Sequence, residues 1–275
     1  MPEGDTIHRA ARTLAAALEG ERVTAFQTRV AAVRALGPQR LLGQTVERVE
    51  ARGKHLLIGF DPSQLVLHTH MRMTGSWHLY RSGERWRKPA HRLTVRLDVE
   101  DWVAVCFSAP VCELLSAAQI ERHPALSSLG PDAVDKRVDL AEARRRLDER
   151  EDWTIGEALL DQRVLAGVGN VYKCEVCFLS EVDPWARVET LEGALRDALL
   201  ATAARLLRRN AGAGDSRRVT TVEGPPGGAD RLHVYGRARR PCRRCGNSIR
   251  VAPLGEQGRI TYWCPTCQGP GPAGP

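Results

Sequence analysis

The sequence predicts an α+β chain: an N-terminal helix and β-sandwich, then a helical region, then a metal-binding hairpin ribbon. Three observations carry this. Residues 22 to about 110 fall into short alternating or apolar runs separated by turn signals. Residues 140–209 repeat apolar side chains at helical spacing. Cys242-x2-Cys245 and Cys264-x2-Cys267, eighteen residues apart, have the spacing of a four-thiolate structural zinc site. The expected organisation is a sandwich domain over 1–115, a linker over 116–135, a helical domain over 136–230, a ribbon over 231–268 and a disordered tail over 269–275.

The elements follow in order. Ile7, Ala11, Leu14 and Leu18 make one apolar stripe, so the chain opens on an amphipathic helix, with Gly20 as its C-terminal cap. Residues 45–50 and 92–97 alternate in polarity, and 56–60, 65–67 and 102–107 are short apolar runs. Asp61-Pro62, Ser82-Gly83 and Glu100-Asp101 supply turns between them, as a sandwich requires. Pro110 to Pro131 is expected to hold little regular structure. Helices are expected over 140–150, 154–163, 171–179 and 191–209. The Gly- and Pro-rich stretch 211–230 reads as a mobile loop, and the Gly/Pro tail from Gln268 as disordered. In the ribbon, 248–252 and 259–263 form the two strands and 254–258 the tip, with Pro241 and Gly246 suited to the knuckle turns.

Composition narrows the function. The chain has 275 residues, 27% charged and 43% hydrophobic, ordinary for a globular protein. No run approaches the roughly 18 apolar residues of a membrane helix, and the N-terminus lacks a signal-peptide pattern. A cytoplasmic protein with no membrane partner is expected. Eight Cys in that compartment argue against a disulfide framework. Cys106, Cys112, Cys174 and Cys177 then read as packed thiols. The net charge of +7 is unevenly placed: seven Arg and no acidic residue lie between Arg231 and Arg250, the footprint of contacts with a polyanion. Nothing in the pattern predicts an oligomer, so a monomer is expected.

The opening Met1-Pro2-Glu3-Gly4 has chemical potential. Removal of Met1 would leave Pro2 with a secondary amine, which attacks aldehyde carbons to give an iminium. An α-amino group titrates at about 7.7–8.0, so a useful fraction is nucleophilic near neutral pH. Glu3 beside it could move protons. Pro and Glu also begin helices for purely conformational reasons. Three internal stretches invite similar readings. Gly53-Lys54 is a strand turn presenting an ammonium, or a solvated lysine. Gly167-Val168-Gly169-Asn170 is a tight turn before a helix, with Asn170 at the N-cap position. It is either an ordinary corner or an anion site. His70-Met71-Arg72-Met73-Thr74-Gly75 could place a wedge and a cation in a stacked duplex, or could be packing.

Taken together, Pro2-Glu3-Gly4, Gly53-Lys54, Gly167-Val168-Gly169-Asn170 and the four ribbon cysteines resemble, in order and over nearly the whole chain, the formamidopyrimidine-DNA glycosylase and endonuclease VIII family of base-excision-repair enzymes. The resemblance implies a β-sandwich joined to a helix–two-turn–helix domain and a zinc-bearing hairpin. It implies that Pro2 is the nucleophile at C1′ of the damaged nucleotide and Glu3 the acid/base. Lys54 becomes a catalytic-site phosphate contact, Asn170 with Gly167 and Gly169 the phosphate clamp, and Arg259 the grip on the flipped nucleotide's phosphate. Met73 becomes the residue that fills the void. Cys242, Cys245, Cys264 and Cys267 hold one structural zinc. The implied partner is damaged double-stranded DNA in the nucleoid, with no small-molecule cofactor. An iminium at Pro2 acidifies C2′ and permits β,δ-elimination.

Within that family, the purine-lesion branch carries an Asp-Pro-Arg-Arg-Phe-Gly-like run where this chain reads Ser108-Ala109-Pro110-Val111-Cys112-Glu113-Leu114. This run, with His123-Pro124-Ala125-Leu126 and Gly130-Pro131-Asp132, is similar to endonuclease VIII, so oxidised pyrimidines are the expected substrates. Arg72-Met73-Thr74 departs from the Gln-Leu-Tyr wedge of the best-known endonuclease VIII. The alternatives are a formamidopyrimidine, 8-oxopurine or abasic-site preference in the same family and, outside it, a zinc-ribbon DNA-binding protein without catalysis.

Overall fold

The structure is a computed structural model that describes residues 2–212, 219–222 and 231–272. It contains two compact units, Met1–Ser128 and Leu129–Pro275.

The first unit opens on helix α1 (Gly4–Leu18), which buries Ile7, Ala11, Leu14, Ala17 and Leu18 on one face. Gly20 follows at φ +84°, a left-handed conformation that ends the helix at little cost only for glycine. Eight strands then form two antiparallel four-stranded sheets. One has the order β2 (Thr45–Arg52), β3 (His55–Asp61), β4 (Leu65–His70), β8 (Val111–Ser116). The other runs β1 (Ala25–Thr28), β6 (Leu93–Asp98), β7 (Trp102–Phe107), β5 (Ser76–Arg81). A short helix, α2 (Ala31–Ala35), follows β1. Val46, Leu56, Ile58, Phe60, Leu67, Val95, Leu97 and Ala104 from both sheets share one core with the α1 stripe. This is the expected helix-led sandwich. Leu14→Ala would open a cavity there at a cost of about 3 kcal/mol. The stretch 110–131 departs from expectation. Its register with β4 makes 111–116 an edge strand, and two short helices follow, α3 (Ala117–Glu121) and α4 (Pro124–Ser127). Ser116 and Gln119 form a reciprocal capping box at the start of α3, a local signal sufficient to fix that helix.

The second unit holds α5 (Leu140–Asp148), α6 (Ile155–Leu160), α7 (Asn170–Leu179) and α8 (Gly193–Gly212) around Leu147, Leu159, Tyr172, Val176, Leu199 and Leu206. Asp139 and Thr154 cap α5 and α6 by accepting from the Glu142 and Glu157 N–H groups. The ribbon strands are β9 (Arg250–Leu254) and β10 (Arg259–Trp263), paired in register from Leu254↔Arg259 to Arg250↔Trp263, followed by α9 (Pro265–Gln268). The predicted loop 211–230 lies mostly outside the described residues. The start of the tail is held: the Gly271 N–H donates to Asp183 at 2.9 Å. A Cβ at Gly271 would lie 2.4 Å from the Trp263 ring, so that backbone needs glycine. No helix among the described residues is long and apolar enough to cross a membrane.

Candidate active site and nucleic-acid contacts

Pro2 is half-buried two residues before α1, and Glu3 between them is completely buried at the N-cap position of that helix. The Glu3 carbonyl accepts from the Thr6 and Ile7 N–H groups at 2.9 and 3.1 Å, so its backbone is fixed by the first helical turn. A pyrrolidine nitrogen and a carboxyl thus belong to neighbouring residues at the start of a rigid element.

The β2–β3 turn carries Lys54 beside Gly53, whose φ of +57° is a conformation that favours glycine. His55, the first residue of β3, pairs with His70, the last of β4, so the Lys54 turn and the Met71–Gly75 turn lie at one end of the same sheet. In the second turn the Gly75 N–H donates to the Met71 carbonyl at 2.8 Å. A Cβ at Gly75 would stand 2.7 Å from Met71 Cα, so only glycine closes this turn. Arg72 adopts φ +42°, and Met73 is left 66% exposed, a large apolar side chain presented to solvent. Thr74 Oγ1 donates to the Ser108 carbonyl at 2.9 Å, which ties the loop to the Ser108–Pro110 run.

The same end holds a histidine cluster that the sequence did not reveal. His55 Nδ1 and His68 Nε2 are 2.8 Å apart, and His68 Nδ1 lies 2.8 Å from Glu113 Oε2. The His70 ring meets His55 edge-on at 4.6 Å. Burial, then the neighbouring His70, lowers the pKa of His55 to about 3. Burial and Lys54 lower that of His70 to about 4. These rings are neutral near pH 7. The partners are 13 to 45 residues apart in sequence, and only strand register brings them together.

In the second unit, Gly167 has φ +101°, in the region that favours glycine. Asn170 is not the N-cap. Gly169 occupies that position, and Asn170 is the first helical residue, its side chain turned across to the ribbon. Asn170 Nδ2 donates to the Ile260 carbonyl at 2.7 Å, so the Gly167–Gly169 turn and β10 meet at this amide. Arg259 directly precedes Ile260, is exposed, and donates to Gln257 Oε1 from Nε and Nη2 at 3.2 and 3.0 Å. Asn170 and Arg259 therefore share one neighbourhood.

Two charged residues of α7 went unnoticed in the sequence. Glu175 is fully buried and accepts from the backbone N–H groups of His233, Val234 and Tyr235 at 2.8, 2.9 and 2.9 Å, as well as from the Thr221 hydroxyl. It fastens the approach to the ribbon onto the helix. Lys173, also fully buried, donates to Thr261 Oγ1 on β10. The available signal was two charges inside an otherwise apolar helix, Val171-Tyr172-Lys173-Cys174-Glu175-Val176-Cys177-Phe178.

The four ribbon cysteines converge, with every Sγ within 4.8 Å of the others. Cys242 and Cys267 are 3.9 Å apart, and Cys245 and Cys264 are 3.4 Å apart. A tetrahedral zinc with bonds near 2.3 Å sets sulfurs about 3.8 Å apart, so this donor set fits the metal. The Cys242 N–H donates to the Asn247 carbonyl at 2.7 Å and the Gly246 N–H to the Cys242 carbonyl at 2.9 Å, closing the first knuckle. The Asn247 backbone N–H lowers the pKa of Cys245, favouring thiolate. The other four cysteines are buried thiols, as expected.

Comparison with known proteins accounts for this arrangement. The formamidopyrimidine-DNA glycosylase N-terminal domain matches residues 1–110, and the H2TH domain of the same glycosylase matches residues 129–220. The chain belongs to the formamidopyrimidine-DNA glycosylase and endonuclease VIII family. It is 45% identical to the "Probable endonuclease 8 2" of Streptomyces coelicolor, with 99% of this chain and 96% of that protein aligned. It is 37% identical to the "DNA-(apurinic or apyrimidinic site) lyase Nei2" of Mycolicibacterium smegmatis, over 98% of this chain and 99% of that one. It is 35% identical to the "Endonuclease 8" of Salmonella arizonae, over 98% and 100%. The Fpg of Lactococcus lactis, solved in complex with abasic-site DNA, has the same fold, with a TM-score of 0.81 at 23% identity over 97% of this chain and 99% of that one. The endonuclease VIII character expected from 108–114 and 123–132 agrees with the names of these relatives.

Proposed function

We propose that this chain is a bifunctional DNA glycosylase and AP lyase of base excision repair that removes oxidised pyrimidines from double-stranded DNA. The observation that carries the reading is Pro2 placed directly before a fully buried Glu3 at the start of α1. A protein that only bound DNA would have no use for that pair. The relatives named endonuclease 8, at 34–45% identity over full length, support the same reading.

A base within a duplex is out of reach, so the nucleotide is flipped at a cost of a few kcal/mol. Lys54, Asn170, Arg259 and the Gly167–Gly169 turn grip phosphates and hold the strained backbone without reading sequence, while exposed Met73 fills the gap left in the stack. With Met1 removed, the Pro2 nitrogen bonds to C1′ as the glycosidic bond breaks and the base departs with its electron pair. The attached nitrogen gives up its proton to water or to the departing base, and Glu3 protonates O4′ as the sugar ring opens, leaving an iminium between Pro2 and C1′. That cation acidifies C2′. Loss of the C2′ proton expels the 3′ phosphate, and a further proton loss at C4′ expels the 5′ phosphate. Water then hydrolyses the iminium and frees Pro2. Cys242, Cys245, Cys264 and Cys267 hold one structural zinc, whose contribution is to fold the hairpin that carries Arg259. The protein acts as a cytoplasmic, nucleoid-associated monomer.

Borohydride trapping on abasic-site duplex is the test. Wild-type protein is expected to give a covalent adduct attached at Pro2, read by mass spectrometry, and Pro2→Gly to weaken it. Absence of a wild-type adduct overturns the reading, as does an active protein that retains Met1. Because one relative is named as an abasic-site lyase, a panel of duplexes each bearing one lesion decides between oxidised pyrimidines, formamidopyrimidines or 8-oxopurines, and abasic sites.

A further inference from the structure

We propose that His68, Glu113 and His123 form a second divalent-metal site, in the sandwich unit and separate from the ribbon cysteines. Three elements converge there: His68 from β4, Glu113 from β8, and His123 from the residue preceding α4. His68 Nδ1 lies 2.8 Å and His123 Nε2 3.2 Å from Glu113 Oε2, and all three donor atoms fall within 4.8 Å of one another. Bonds of about 2.0–2.2 Å to a tetrahedral cation put ligand atoms roughly 3.3 Å apart, so small outward shifts admit an ion.

The surroundings have the form of a ligand set. The second nitrogen of His68 is held by His55 Nδ1 at 2.8 Å, the outer bond that fixes the orientation of a ligating imidazole. Pro124 restricts His123 to extended backbone, observed at φ −67° and ψ 118°, which fixes the ring's departure point. Among the described residues the buried His123 Nδ1 has no hydrogen-bond partner, so the ring's polar anchoring there is through Nε2, the atom aimed at the cluster. The His68 side chain is 1% exposed while that of Glu113 is 40% exposed, leaving one side of the site open for entry and for a water ligand. Two imidazoles and one carboxylate select zinc, cobalt or nickel over magnesium or calcium.

Occupancy would have a defined effect. Without metal, His68 donates from Nδ1 to Glu113, so its Nε2 accepts from His55 Nδ1. A metal on His68 Nδ1 moves that ring's proton to Nε2, and His55 Nδ1 must then accept. The site thus sets which nitrogen of His55, the neighbour of Lys54, carries hydrogen.

The test is cobalt titration of the full-length protein, and it does not depend on the glycosylase reading. The wild type is expected to take two cobalt ions: one with the sulfur charge-transfer bands of the ribbon, the other with weak visible bands alone. His123→Ala and Glu113→Gln should each lose the second ion while keeping the ribbon bands and the wild-type melting profile. A wild type that binds one ion overturns the proposal, and so do variants that still bind two. Zinc added to 15N-histidine-labelled protein should convert His68 Nδ1 from protonated to metal-bound. An unchanged His68 signal would count equally against the site.

Discussion

Individual residues set sharp expectations. Positioned proton transfer contributes about 10²–10⁴-fold, so Glu3→Gln should slow single-turnover base release by that order. Borohydride trapping on preformed abasic sites should be affected much less, since there the glycosidic bond is already broken and the hemiacetal sugar opens to its aldehyde without the enzyme. Arg259 is exposed, and its guanidinium donates to Gln257 Oε1. Arg259→Ala should weaken binding to all duplexes alike and reduce the slope of log affinity against log salt by about 1. Glu175 receives three backbone N–H groups in a fully buried position. Glu175→Ala should cost about 2–4 kcal/mol in denaturant unfolding, because those donors lose their acceptor away from water. Burial pushes the Cys177 thiol up to about 12, above its unfolded pKa. Its stabilising effect is therefore complete below pH ~8.5 and is lost as pH rises toward 12. Iodoacetamide at pH 9 should leave Cys177 unmodified in folded protein, and Cys177→Ala should flatten the alkaline fall in melting temperature. The cysteine cluster was legible in the sequence because its spacing is a local signal. Glu175 and the His55–His68–Glu113 chain were not, because their partners are supplied by register and packing.

Among the elements, those with a strong period were legible and those fixed by a neighbour were not. The stripe Ile7, Ala11, Leu14, Leu18 identified α1, and the ribbon strand 259–263 matches β10. Strand β8 was missed because Val111–Ser116 alternates weakly and owes its conformation to pairing with β4. The cap expected at Asn170 failed for a similar reason: the Ile260 carbonyl, 90 residues on, claims its side chain. The hairpin itself should depend on its cysteines. Cys245→Ser is expected to lose the metal and tight DNA binding while the sandwich unit stays folded. Tight binding retained by the metal-free variant would contradict this.

At the scale of the molecule, each unit has its own core, one built on α1 and two sheets, the other on α5 to α8. The broad division into a sandwich half and a helical half was readable from the change of period along the chain. The single amide of Asn170 adds something that division hides. One of its two hydrogens is committed to the ribbon strand, so the direction of the other is dictated by where that strand lies. If Asn170 grips phosphate as proposed, stripping a ribbon-bound metal with a chelator should weaken DNA binding through a residue that binds no metal, and the defect would originate in the sulfur cluster more than seventy residues away.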